Sequence, residues 1–240
     1  MPDILTQQDG AILRITLNQP ERGNAVSDEM VAELTGIIEG AEKTSSVVVL
    51  RGADAEIRAV MGSTPKHDPD ALERRTFSDV VFNCYGAMRN AKIPIVAAVH
   101  GRALGFGCAI AAACDITLAS DKAVFQVPEM AHNILPTMVM SSFVDRVPRK
   151  AMSYLVYSQA EISPERALSF GIVSDVVPAQ KLDTAVETLC AAILKAPRPA
   201  ILGVKEYVKT APDMAVYGAV EFARNLHATV NSSSEMRRKH

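Results

Sequence analysis

The sequence predicts an α/β domain that ends in a helical C-terminal region. Two observations carry that expectation. Short apolar runs, such as Val47-Val48-Val49-Leu50 and Ile95-Val96-Ala97-Ala98-Val99, alternate with helical patterns through the first two thirds of the chain. In the last third the helical pattern dominates. A continuous apolar strand reads as buried on both faces, which is the habit of parallel sheets covered by crossover helices. The boundaries are set at 1–195 for the α/β core and 196–240 for the helical region.

The elements follow in order. Ile12 to Leu17 is rich in β-formers and reads as a strand that Asn18-Gln19-Pro20 ends. Ser27 is an N-cap, and Met30, Leu34, Ile37, Ile38 and Ala41 share one helical face. Val47 to Leu50 is a buried strand, followed by a loop from Gly52 to Asp70. A second helix carries Phe77, Val81, Cys84 and Met88 on one face, and Pro94 ends it. Ile95 to Val99 is another buried strand, and Ile116 to Ala119 and Val124 to Gln126 are later short ones. Ser163-Pro164-Glu165 opens a helix that Gly171 closes. Val173 to Val177 is a last strand, and Leu182, Ala185, Val186, Leu189 and Ile193 mark an amphipathic helix. The sequence shows no internal repeat.

Composition excludes several functions. The 240 residues hold 25 Lys+Arg against 27 Asp+Glu, a formal net charge of −2. That leaves no basic field for nucleic acid or an anionic membrane. With no tryptophan and 5% aromatics, a base-stacking platform is not expected. Cys84, Cys108, Cys114 and Cys190 form no CxxC pair, so neither a metal site nor a redox pair is expected, and buried free thiols in a reducing cytoplasm are. The N-terminus lacks a basic start followed by an apolar core, so no signal peptide is expected. The longest uncharged apolar run, Ala103 to Cys114, is too short to span a bilayer.

That run continues a buried strand through His100-Gly101-Arg102-Ala103-Leu104-Gly105-Phe106-Gly107 into an apolar helix. A helix N-terminus presents free N–H groups and a positive dipole end, so it can bind a phosphate or stabilise an oxyanion. The spacing matches neither a dinucleotide fingerprint nor a phosphate-binding NTPase loop. Alone, it is equally a tight structural turn.

Four ordered segments resemble the enoyl-CoA hydratase/isomerase (crotonase) family. They are Ile15 to Met30, Ile93 to Cys108, Phe125 to Glu129 followed by Pro136, and Ile162 to Pro178. The resemblance implies a crotonase-like fold of repeated ββα units, with two roughly perpendicular sheets and a helical tail. It implies homotrimers or hexamers and an acyl-CoA thioester substrate. No separate cofactor is implied, since coenzyme A is part of the substrate. It also implies chemistry in which two backbone N–H groups stabilise a thioester enolate; one such donor is worth about 3–4 kcal/mol. By motif position the donors are Met61 and Phe106, flanked by Ala59 and Gly105 in the binding loops, and Glu129 is the catalytic carboxylate. Pro136 and His132 follow Glu129 toward the same cavity. Members of the family carry a further helix beyond the point where this chain stops, so a more open pocket, or closure by a partner chain, is expected.

The chain departs from the pattern in informative places. The first donor loop reads Ile57-Arg58-Ala59-Val60-Met61-Gly62, with Val60 in place of a glycine and Gly62 in place of an aspartate. The family's first catalytic glutamate falls on Ala109, which carries no proton. A dienoyl-CoA isomerase aspartate falls on Thr137, and a glycine cluster is replaced by Thr137 to Ser142. His100 stands where asparagine is usual and is read as structural. Arg22, Lys66 and Lys92 are candidates for coenzyme A phosphates from proximity alone, because the usual basic positions are Gly23 and Thr64.

One carboxylate suits a proton shuttle, so an isomerase is preferred on mechanism over a hydratase. Two other readings stay open. One is decarboxylation or hydrolysis of an acyl thioester at the same site. The other is an acyl-CoA-binding member impaired in catalysis, which Ala109, Val60 and Gly62 favour.

Overall fold

The computed structural model describes residues 2–53, the strand at 56–59 and residues 69–237. Strands β1 (Ile4–Asp9) and β2 (Ile12–Leu17) form an antiparallel hairpin. From β2 onward the chain repeats one step: a strand in a large sheet, a strand in a small sheet, then a helix. The first unit is β2, β3 (Ala25–Val26) and α1 (Asp28–Gly40). The second is β4 (Val47–Gly52), β5 (Glu56–Ala59), α2 (Ala71–Phe77) and α3 (Asp79–Asn90). The third is β6 (Ile95–Val99), β7 (Arg102–Leu104) and α4 (Phe106–Ala113). A fourth runs through β8 (Ile116–Ser120), β9 (Val124–Gln126) and α5 (Thr137–Phe143). Then come α6 (Arg149–Ser158), α7 (Pro164–Ser169), β10 (Asp175–Val177), α8 (Leu182–Leu194), α9 (Arg198–Thr210) and α10 (Val216–Asn231).

The large sheet has the order β1-β2-β4-β6-β8-β10, parallel beyond the first hairpin, and the small sheet is β3-β5-β7-β9, all parallel. This is the ββα repetition that the family resemblance implied.

Side-chain alternation explains why β4 is apolar throughout. Val48 and Leu50 face the main core with α1, α3 and α4, whereas Val47 and Val49 face α8. On that second face Ile12, Ala98 and Leu118 meet Leu182, Val186 and Cys190. With helices on both faces there is no solvent side to mark with polar residues. Fully burying one such aliphatic side chain contributes about 1.5–3 kcal/mol.

Helix starts follow their capping residues. Ser27 Oγ accepts the Met30 N–H at the start of α1, and Ser163 Oγ accepts the Arg166 N–H at the start of α7. Gly171 closes the α7 turn at φ +78, where a methyl group would lie 2.7 Å from the Arg146 carbonyl oxygen. Helix α9 is pinned to the core by two cations. Arg198 of α9 donates to the carbonyls of Ser45 and Glu42 at 2.5 Å, and buried Lys205 meets Asp115 at 2.6 and 2.8 Å. Asp115 also accepts the Ile95 N–H at 2.8 Å, so one carboxylate ties α9 to β6.

The structure corrects the element reading in two places. The Gly52–Asp70 loop contains β5, which pairs with β3 through Val26↔Ala59. The single helix around Phe77 is two helices meeting at Ser78, and Phe77 is 45% exposed rather than on the buried face. The four cysteines are free and buried, as read. Among the described residues no helix is long and apolar enough to cross a membrane.

Candidate active site

The glycine-punctuated turn is held by short links on both sides. Gly105, between β7 and α4, has φ +51 and ψ −111, a conformation outside the regions open to a residue with a β-carbon. Its N–H donates to the Gln126 carbonyl at 3.0 Å, and its own carbonyl accepts the Ala109 N–H at 2.9 Å. Phe106 is the first residue of α4, where a backbone N–H has no acceptor within the helix. No loop or side-chain acceptor among the described residues takes that N–H. All eight residues of α4 are buried, so this positive helix end lies in apolar surroundings.

Glu129 reaches that point because β9 runs parallel to β7, with Leu104 opposite Gln126. Three residues later Glu129 opens a 3₁₀ turn, Glu129–His132. A two-way bond between Phe125 and Ile162, at 3.1 and 2.9 Å, fixes β9 to the segment before α7. A methyl group at Gly105 would lie 2.5 Å from Glu129 Oε1, so the carboxylate occupies the space that the missing side chain leaves. Glu129 Oε2 is buried and has no hydrogen-bond partner among the described residues. Burial raises the Glu129 pKa, while its own backbone N–H and the nearby His132 charge pull it down by less. His132 itself is exposed, and Pro136 is buried at the start of α5.

The remaining sequence-derived positions divide. Ala109 is fully buried one turn after Phe106, on the same face of α4. Ala59 ends β5, two residues before the predicted donor Met61. Met61 and Lys66 lie outside the described residues, as do Val60, Gly62 and Thr64. Arg22 is exposed on the 3₁₀ turn before β3, and no hydrogen bond or ion pair joins it to Glu129 among the described residues. Lys92 pairs with Glu42 at 2.8 Å. His100 lies beside the Arg51 guanidinium at 3.2 Å, and its carbonyl accepts the Ser120 hydroxyl. Burial, and then the Arg51 charge, lower the His100 pKa.

Two residues at the site were not read from the sequence. Tyr85 on α3 is 3% exposed, and its ring stacks on Phe106 with centroids 5.8 Å apart and an interplanar angle of 23°. Its phenol pKa is pushed up by burial and then by the charges of Cys84, Glu129 and Cys108. Cys108, fully buried, is pushed up by burial and by Glu129. A faint signal existed for Tyr85: it sits four residues after Val81, where a core helix face has no need of a hydroxyl.

The arrangement joins a raised-pKa carboxylate to an unclaimed backbone N–H at a helix start. A carbonyl held by that N–H would present its neighbouring carbon to the carboxylate, which can carry a proton to or from it.

Comparison with known proteins identifies the family. A family model described as Enoyl-CoA hydratase/isomerase matches residues 7–239. The chain is 32% identical over 211 residues to enoyl-CoA hydratase domain-containing protein 3, mitochondrial, of Mus musculus, covering 86% of this chain and 70% of that one. It is 30% identical over 201 residues to the short-chain-enoyl-CoA hydratase of Clostridium acetobutylicum, covering 81% of this chain and 77% of that protein. A solved structure of a putative enoyl-CoA hydratase from Thermobifida fusca YX in complex with CoA superposes with a TM-score of 0.83 at 25% identity, over 95% of this chain and 92% of that one. The fold is therefore crotonase-like, and the chain belongs to the enoyl-CoA hydratase/isomerase family.

Proposed function

We propose that this protein processes acyl-CoA thioesters by stabilising a thioester enolate, as an enoyl-CoA isomerase or hydratase with Glu129 as its proton carrier. One observation carries the reading: the Glu129 carboxylate lies against Gly105 at the start of α4, with Oε2 buried and unpartnered among the described residues. The Phe106 N–H is one enolate donor and the Met61 N–H the other. Bound CoA in the Thermobifida fusca structure and the short-chain activity named for the Clostridium protein support the substrate class. Neither step calls for a cofactor beyond the coenzyme A of the substrate. The four buried thiols support a reducing compartment, the cytoplasm.

The double-bond shift begins with proton removal by Glu129 from the carbon next to the thioester carbonyl of a 3-enoyl-CoA. Charge moves onto the thioester oxygen, where fixed N–H donors meet it. Returning the proton two carbons away shifts the double bond, and adding water across it gives the hydroxyacyl product. Glu129→Gln keeps the shape but cannot take a proton, so turnover of crotonyl-CoA and 3-butenoyl-CoA should fall by about 10²–10⁴-fold in kcat. The absorbance of the conjugated enoyl group reports both reactions. Full activity in the variant would end the assignment.

A second reading is favoured by Ala109, a buried methyl where a carboxylate would assist hydration. It makes the chain an acyl-CoA-binding member impaired in catalysis. Acyl-CoA binding without turnover of either thioester would select it. Release of CO₂ or free coenzyme A would select decarboxylation or hydrolysis.

Trimers or hexamers belong to the same proposal. Val204 and Val208 on α9 are exposed and line an apolar cleft of about 360 Å³ between α9 and α10, and Val216, Tyr217 and Val220 on α10 are exposed as well. Exposed apolar side chains of this kind on the two last helices fit a second copy of the chain.

A further inference from the structure

The strands that deliver the site, β7 and β9, are three residues each. A ladder that short is weak on its own, so other links must hold the two strand ends in place. Gln126, the last residue of β9, stands where the strands part. Its carbonyl accepts the N–H of Gly105, the residue before the Phe106 donor, at 3.0 Å. Beyond it the chain runs through Val127 and Pro128 to Glu129. The Gln126 side chain is anchored as well: Nε2 donates to the Gln159 carbonyl at 2.8 Å. Gln159 ends α6 at φ +54, and its N–H bonds the Leu155 carbonyl at 3.2 Å, so the anchor is a helix end. Two further links grip the same segment. Ile162 exchanges two backbone bonds with Phe125, and Glu161 pairs with Arg102, the first residue of β7. Residues 159–162 therefore brace both strands of the site.

We propose that Gln126 is a positioning residue: by its hold on Gln159 it keeps its own carbonyl against the Gly105 N–H, and so sets the separation between the Phe106 donor and the Glu129 carboxylate. This deepens the proposed function and rests on the reading of Glu129 as proton carrier. Proton carrier and enolate donor must meet one thioester together, and a misplacement of about 1 Å can cost about 10²-fold in rate. The fit is tight at Gly105, where a methyl group would lie 2.5 Å from Glu129 Oε1. A β9 end that swung outward would open that fit and let water reach the carboxylate. Burial is what raises the Glu129 pKa, so a looser strand end would bring it back toward the ordinary carboxylate range.

Gln126→Met tests this, because it keeps the length of the side chain and removes only its donor. Gln159 is half-exposed, so water can serve its carbonyl and the fold is kept. In isomerisation of 3-butenoyl-CoA, kcat should fall by about 10–10²-fold with KM within about threefold. The acid limb of the kcat/KM profile, where the Glu129 base is protonated, should move to lower pH. A smaller folded population would lower the whole profile and leave that limb in place. By hydrogen exchange in the ligand-free protein, the Gly105 amide should exchange about tenfold faster in the variant, with the β6 amides unchanged. An unchanged kcat, a lowered profile with an unmoved acid limb, or unchanged exchange at Gly105 would overturn the proposal. Glu129→Gln separates the two readings. If it kept full activity, the proton-carrier reading would fall, while exchange at Gly105 would still decide whether Gln126 holds the strand end.

Discussion

At the residue scale, Gly105 and Glu129 depend on each other. The glycine's backbone angles exclude a side chain, and a methyl group there would lie 2.5 Å from Glu129 Oε1. Gly105→Ala should therefore destabilise the fold by about 1–3 kcal/mol and displace the carboxylate, lowering kcat. A denaturant titration beside the kinetic assay checks both effects. Glu129 should also leave a mark on stability. Its pKa is higher folded than unfolded, so the folded state is progressively disfavoured as pH rises from the ordinary carboxylate range to the raised value. Glu129→Gln removes that penalty. The variant should be more stable than the parent at neutral pH, with the gap closing below about pH 4, where the carboxyl is protonated in both states. A variant that is less stable at every pH would show that the carboxylate is not held at a cost. Glu129 and Phe106 were named from the family resemblance, and the structure brings the Glu129 carboxylate against Gly105, the residue before Phe106. The place of Tyr85 was not legible, since it comes from a ring on one helix stacking on the first residue of the next.

At the element scale, the long strands, the capped helices and the three-residue β9 were legible, and β1, β3, β5 and β7 were not. β4 and β6 are continuous apolar runs between two covered faces, and α1 and α7 carry Ser caps. β3 has two residues and β7 three, too few for a period of two to show. β1 is an edge strand with one buried residue, Ile4, so its pattern reads as polar chain. These short strands place the site: β7 delivers Gly105 and β9 delivers Glu129. The clamp between α9 and β6 has its own prediction. Lys205→Met would leave Asp115 with its carboxylate mostly buried and without its cation, and should cost about 3–5 kcal/mol by chemical denaturation. Lys205→Met combined with Asp115→Asn should recover part of that loss, because the uncompensated charge is gone.

At the scale of the whole molecule, a repeated ββα step was invisible as sequence repetition yet plain in the topology. Each unit buries its apolar residues against different neighbours, so the residues diverge while the path recurs. The exposed valines and tyrosine of α9 and α10 belong to this scale too. Sedimentation equilibrium should give a trimer or hexamer, and Val220→Glu with Tyr217→Glu should shift it toward smaller species; a monomer at every concentration would remove the oligomer proposal. The most direct test of the chemistry is a crystal structure with a bound acyl-CoA. The thioester oxygen should lie about 3 Å from the Phe106 amide nitrogen, with the carbon beside the carbonyl facing the Glu129 carboxylate. A thioester carbonyl bound away from the start of α4 would contradict the enolate mechanism.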